Sequence, residues 1–306
     1  MIKSQQNIEH SRFQLLLNHA KKNNEDFNLL LIRYGIERFL YRLSLSKYKK
    51  QFILKGASLF LIWSGKNYRV TRDIDFLGQG NSDINTLNKT VQEICKIPLK
   101  ENDAITFDLD SIKVQPIRKH IQYGGTRITL MAILHNARIP IQIDIGFGDA
   151  VTPAPENVEY PTIFETKSPA LLAYPKETLI SEKFSAMTEL GLMTSRLKDF
   201  YDICLISRLF EFDGMLLGRA ITNTFNRQNT LIPKDLPVAL TMAFAENEQK
   251  QTQWKAFLRK AKPKEQMGTF VEVVKEISLF LLPVLEQIRK NSSLNKIWKP
   301  DKGWQS

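Results

Sequence analysis

Asp73-Ile74-Asp75 begins fifteen residues after Ser58, the last residue of a Gly56-Ala57-Ser58 turn. In an extended segment, side chains two apart project to the same face, so Asp73 and Asp75 point together while Ile74 and Phe76 point the other way. Two adjacent carboxylates repel, and keeping both ionised calls for a cation between them. Mg²⁺ suits such a pair, because it takes oxygen ligands and relies on one or two carboxylates plus substrate phosphates. A D-x-D by itself is a short pattern, equally at home on a solvated strand edge. Asp144 adds a third carboxylate, alternating with apolar residues in Ile141-Gln142-Ile143-Asp144-Ile145 on an expected neighbouring strand. The Gly-Ala-Ser turn falls at an expected strand-to-helix junction, where backbone amides and a small hydroxyl can hold a terminal phosphate. Together these features describe a two-metal phosphoryl-transfer site, with Asp73, Asp75 and Asp144 as the metal ligands.

The elements that must position these residues can be read from periodicity. Residues 24–46 read as an amphipathic helix capped by Asp26, with Ile32, Ile36, Phe39, Leu40 and Leu43 on one face and Arg33, Arg38 and Arg42 as solvated charges on the rest. A short apolar run, 51–54, leads into the turn, and 59–63 is the helix after it. Residues 73–77 alternate with the strand period, 84–97 return to helical period behind a possible Asp83 cap, and 105–114, 127–134 and 139–145 are strands of one sheet. A proline-containing stretch, 151–161, separates this α/β region from the C-terminal half of the chain. From Tyr174 the pattern is helical, over 176–191, 195–211, 213–225, 233–245, 248–261 and 265–290, and the tail after Asn291 is polar and reads as loose. The division expected is an N-terminal helical segment (1–50), an α/β core (51–165) and a helical C-terminal lobe (166–306).

The chain carries 43 Lys and Arg against 32 Asp and Glu, a formal net charge of +11. That excess favours polyanionic partners, through attraction to phosphates and release of their counterions. An acidic membrane surface is the competing polyanion, but no basic run lies beside an apolar span, so nucleic acid or nucleotide is preferred. Cys95 and Cys204 cannot build a disulfide framework and lack zinc-site spacing, which leaves reduced, packed thiols. His10, His19, His120 and His135 are scattered and form no HExxH motif. The polar start, 1–9, does not read as a signal peptide, and the longest apolar stretches fall short of the roughly 18 residues of a membrane span. The expectation is a cytoplasmic protein with no membrane partner.

Phe52-Ile53-Leu54-Lys55-Gly56-Ala57-Ser58-Leu59-Phe60, followed by Arg69-Val70-Thr71-Arg72-Asp73-Ile74-Asp75-Phe76, resembles the signature of the AbiEii/AbiGii nucleotidyltransferase toxins. These include the MenT toxins and belong to the DNA-polymerase-β-like superfamily. Glu182-Lys183-Phe184-Ser185-Ala186-Met187 and Arg196-Leu197-Lys198-Asp199-Phe200-Tyr201-Asp202-Ile203 are similar to that family's distal lysine and R-x-x-D-x-x-D-like block. The similarity runs over about residues 24–209, and four motifs in order are far more specific than D-x-D alone. Ala57 departs from the second small glycine that many members carry, and the spacing from turn to D-x-D varies among them.

The resemblance implies an α/β (α+β) fold, a polymerase-β-like mixed sheet with an N-terminal helix and a helical C-terminal lobe closing over a cleft. It implies that the Gly56 turn and Ser58 contact the triphosphate, that Asp73 and Asp75 bind metal, and that Asp144 is the third carboxylate and the base for an incoming hydroxyl. Lys183 would reach the nucleotide phosphates, with Asp202, or else Asp199, positioning it. Without the resemblance, Lys183 reads as an exposed helix lysine and Asp199 and Asp202 as a capping and salt-bridging pair on one helix face. Arg69 and Arg72 either neutralise phosphate charge or are solvated. The implied activity is Mg²⁺-dependent transfer of a nucleotide from NTP to an RNA acceptor, the tRNA 3′ end, which would block translation. The protein would then be the toxin of a toxin–antitoxin or phage-defence pair, with a cognate antitoxin. Lys255, Arg259, Lys260, Lys262 and Lys264 form a basic surface that contacts acceptor phosphates or is simply solvated. A metal-dependent nuclease would share the carboxylates without needing the turn, and a non-catalytic nucleic-acid-binding partner would need neither.

Overall fold

The computed structural model describes residues 2–66, 68–69, 71–117, 124–164 and 166–306; Val70 of the motif above and His120 lie outside them. The chain divides into two compact units, one of Met1–Gly148 and Asn157–Ala173, the other of Asp149–Glu156 and Tyr174–Ser306.

In the first unit, α1 (Ile2–Asn23) precedes α2 (Phe27–Leu45), whose start is fixed by Asp26 accepting the Leu29 amide at 2.9 Å. Three of the α2 arginines differ from expectation, because Arg38 and Arg42 are buried and Arg33 is half-buried. Counter-charges explain the burial. Arg42 forks onto Asp103 (Nη1–Oδ2 2.7 Å, Nη2–Oδ1 3.1 Å), and Arg38 Nη2 donates to Glu37 Oε1 at 2.6 Å. After α2 come β1 (Phe52–Lys55), the 3₁₀ turn Gly56–Ser58, α3 (Leu59–Ser64), β2 (Asp73–Gly78) and α4 (Ile84–Cys95). The remaining strands are β3 (Thr106–Ile117), β4 (Gly125–Leu134), β5 (Ala137–Phe147), β6 (Glu156–Glu159) and β7 (Ala170–Ala173).

The seven strands form one mixed sheet in the order β3-β4-β5-β2-β1-β7-β6. β5 runs parallel to β2 and antiparallel to β4, and β1 runs antiparallel to β2 and parallel to β7. Helix α2 covers one face of the sheet. Its Gly35 lies so close that an added Cβ would stand 3.1 Å from Ile141 and 3.3 Å from Ile139. Ile139, Ile141, Ile143 and Ile145 are therefore the buried, helix-facing residues of β5, and Gln142 and Asp144 take the opposite face.

The second unit contains α5 (Lys176–Leu190), α6 (Leu197–Leu209), β8 (Phe212–Asp213), α7 (Gly214–Arg227), α8 (Met242–Glu246), α9 (Glu248–Ala261) and α10 (Phe270–Arg289). Phe200, Phe244 and Phe270 pack ring on ring at its centre, with Trp254 against Phe270 at 5.4 Å. The tail corrects the sequence expectation. Far from loose, it forms a hairpin of β9 (Ile297–Lys299) and β10 (Gly303–Gln305), and β9 also pairs with β8. Two tryptophans hold it, Trp298 Nε1 donating to Ser207 O at 2.7 Å and Trp304 Nε1 to Phe280 O at 3.0 Å. No helix among the described residues is long and apolar enough to cross a membrane.

Candidate active site

The D-x-D lies on β2 with the expected alternation: Ile74 and Phe76 are each 1 % exposed, and Asp73 and Asp75 are half-buried on the other face. Thr71 Oγ1 donates to Asp73 Oδ1 at 2.8 Å and limits that carboxylate's rotation. The turn after β1 comes up against Asp75. Gly56 has a φ of +77°, and a Cβ there would collide with Asp75 Oδ2, so only glycine lets the turn's backbone approach this closely. Ser58 is buried, its hydroxyl donating to Lys55 O at 3.2 Å and bracing the turn. Arg72 is exposed beside Asp73.

Pairing sets the neighbours. Asp75 lies opposite Asp144 in the parallel β2–β5 register, and Asp144 lies opposite Arg127 in the antiparallel β5–β4 register. Arg127 grips Asp144 with two parallel hydrogen bonds, Nε to Oδ1 and Nη2 to Oδ2, each 2.8 Å. Those bonds, and then the negative charges of Asp144, Asp73 and Asp75, hold the Arg127 guanidinium above its ordinary pKa. One arginine therefore faces all three carboxylates. Nothing local in the sequence singles it out, because Arg127 in Thr126-Arg127-Ile128 carries no motif; only the cross-strand register brings it to Asp144.

Among the described residues, no three His, Cys, Asp or Glu side chains gather as a ready metal cage. Both oxygens of Asp144, which lies opposite Asp75 on the neighbouring strand, accept from Arg127. Asp73 and Asp75, side by side on one strand face against the glycine turn, fit a hard cation that completes its shell with substrate and water oxygens.

The distal motifs meet in the second unit. Lys183 of α5 places Nζ 2.7 Å from Asp199 Oδ1 and 2.8 Å from Asp202 Oδ2, both on α6. The lysine is 7 % exposed and both aspartates 0 %, so the reading as an exposed helix lysine does not hold. Both Asp199 and Asp202 contact the Lys183 ammonium. Arg196 Nε adds a contact to Asp199 Oδ2 at 2.6 Å.

A glycine turn set against paired carboxylates on a mixed sheet is the frame of a nucleotidyltransferase. The chain belongs to the AbiEii family of nucleotidyl transferase toxins of type IV toxin–antitoxin systems, whose family model matches residues 38–276. Among solved structures, MenT4, a nucleotidyltransferase toxin from Mycobacterium tuberculosis H37Rv, superposes with a TM-score of 0.50 at 14 % identity, over 90 % of this chain and 98 % of that one. JHP933 from Helicobacter pylori matches with a TM-score of 0.49 at 15 % identity, over 90 % of this chain and 94 % of that one. At such identity the match to MenT4 is a likeness of fold. Among curated proteins none matches the chain.

Proposed function

We propose that this nucleotidyltransferase toxin moves a nucleotidyl group from an NTP to a terminal hydroxyl of an RNA, the tRNA 3′ end, and releases pyrophosphate. Capping that end would stop aminoacylation and hence translation, and a cognate antitoxin would hold the activity in check. The observation that carries this is the glycine turn pressed against the D-x-D, which brings the turn's backbone and two carboxylates into one place. A nuclease would need the carboxylates but not the turn.

Asp73 and Asp75 would hold Mg²⁺, with Thr71 fixing the first of them. When bound, the ion supplies charge neutralisation to the triphosphate and its departing pyrophosphate. The backbone of the Gly56–Ser58 turn receives the terminal phosphates, braced from behind by the Ser58 hydroxyl. Arg72 offsets further phosphate charge from the exposed side of Asp73. Lys183 is assigned a nucleotide phosphate by the family resemblance, and Asp199 and Asp202 fix its ammonium. Asp144 serves in this reading as the anchor of Arg127 rather than as the proton acceptor.

The test is incubation with each labelled NTP, Mg²⁺ and total RNA, for the wild type and for Asp73→Ala and Asp75→Ala. Label should pass from one or more NTPs to RNA. Both variants should lose transfer by orders of magnitude while melting like the wild type, since a lost metal ligand removes several kcal/mol of charge stabilisation. Full activity in either folded variant would falsify the metal assignment. Label appearing on protein instead of RNA would overturn the acceptor.

A further inference from the structure

We infer that Arg127 contacts substrate, presenting its guanidinium to a phosphate of the reacting molecules at the Asp73–Asp75 face, with Asp144 as the positioning residue that aims it. The identity of that phosphate rests on the nucleotidyl-transfer function proposed above.

Three strands place the residues in a row, Arg127 of β4 opposite Asp144 of β5, and Asp144 opposite Asp75 of β2. The row lies on the sheet face turned away from α2. Arginine offers five N–H donors in a flat fork. Asp144 takes the Nε and Nη2 edge, and the Gln142 amide, with its oxygen toward the guanidinium, accepts from the same edge at 3.2 and 3.3 Å. No described residue accepts from Nη1. The Arg127 side chain is 39 % exposed while that of Asp144 is 16 % exposed, so the anchored edge lies inward and the other edge faces solvent.

Charge balance gives this edge a task. Asp73, Asp75 and Asp144 against Arg127 and Lys55, which lies opposite Asp75 in the β1–β2 register, leave the face at −1 (three negative charges, two positive), unfavourable to an entering phosphate until a cation neutralises it. A divalent ion on Asp73 and Asp75 makes the face positive, and Arg127 is then one of the protein donors on that row, with Lys55, able to meet phosphate oxygens. Arginine suits both tasks at once, one edge bidentate on a carboxylate and the other on a phosphate, which the single ammonium of lysine cannot do. A purely structural cross-strand pair would support the sheet and leave substrate affinity untouched.

The phosphate belongs either to the NTP or to the RNA backbone near its 3′ end, and equilibrium binding distinguishes the two. Wild type, Arg127→Gln, Arg127→Lys, Asp144→Asn and the Arg127→Gln/Asp144→Asn double variant are titrated with NTP plus Mg²⁺, and separately with tRNA, with melting curves as the folding control. Arg127→Gln should weaken at least one ligand about tenfold or more, the scale of a hydrogen bond to a charged group. Arg127→Lys should recover little, and the double variant should be no weaker than Arg127→Gln, because Asp144 works through the arginine. A loss confined to NTP assigns the triphosphate, and a loss confined to tRNA assigns the acceptor backbone. Unchanged affinity for both ligands in folded Arg127 variants overturns the inference, as does a wild type that binds neither. Additive losses in the double variant overturn the positioning role of Asp144. Turnover is not needed for any of this, so Arg127-dependent binding without nucleotide transfer would refute the proposed function and leave the arginine's role standing.

Discussion

Lys183, Asp199 and Asp202 place one ammonium against two carboxylates with almost no access to water, and Arg196, whose side chain is 41 % exposed, adds positive charge at Asp199. Taking such charges out of water costs several kcal/mol each, offset only while every partner stays in place. Replacing Lys183 alone therefore does two things at once: it removes a proposed phosphate contact and strands two buried aspartates. Lys183→Met should lose about 3–5 kcal/mol of stability, so its inactivity would say little about chemistry. Lys183→Met combined with Asp199→Asn and Asp202→Asn keeps the shape and removes the stranded charge. Denaturant unfolding should show most of the lost stability returning, while nucleotide incorporation stays absent. Restored incorporation in the triple variant would make Lys183 a structural residue.

Element by element, the helical pattern of the second unit was legible where a helix buries a continuous stripe. The expected span 248–261 is helix α9 from end to end, and 176–191 differs from α5 by one residue. The β9–β10 hairpin was not legible, because its strands are three residues each in a polar tail and what holds it, β8, Ser207 and Phe280, lies far back in sequence. The Trp298 ring packs tilted against Phe280, with centroids 4.9 Å apart, and edge-on to Trp304 at 5.6 Å, and its indole reaches Ser207. Trp298→Ala should cost about 2–4 kcal/mol, below the full range for a wholly buried tryptophan because the ring is half-exposed. Hydrogen exchange should quicken across 297–305 first. Wild-type stability in this variant would return the tail to a loose appendage.

For the molecule as a whole, the +11 charge is the strongest pointer to its partner. Lys255, Arg259, Lys260, Lys262 and Lys264 are all exposed at and beyond the end of α9. RNA affinity should fall steeply with added salt, since each neutralised phosphate releases condensed counterions, whereas NTP affinity should fall less. Reversing these five residues to Glu should weaken RNA binding and modification more than NTP binding. Paired salt titrations on wild type and variant measure both. Unchanged RNA affinity in the variant removes this surface from the acceptor, and a flat wild-type salt response counts against a nucleic-acid acceptor altogether.

Local order was enough to place Asp73 and Asp75 on one strand face, to put a glycine at the turn after β1, and to mark the helices with a buried stripe, because each depends on a period or a dihedral confined to a few neighbouring residues. The order of the strands was not available locally. It is the pairing of β4 with β5 and of β5 with β2 that sets Asp144 opposite Asp75 and brings Arg127 onto both oxygens of Asp144. Likewise Arg38, Arg42 and Lys183 read as surface charges until Glu37, Asp103, Asp199 and Asp202 come alongside them. A charged side chain stays in water unless a counter-charge meets it in the interior, and only the folded chain decides which residues meet.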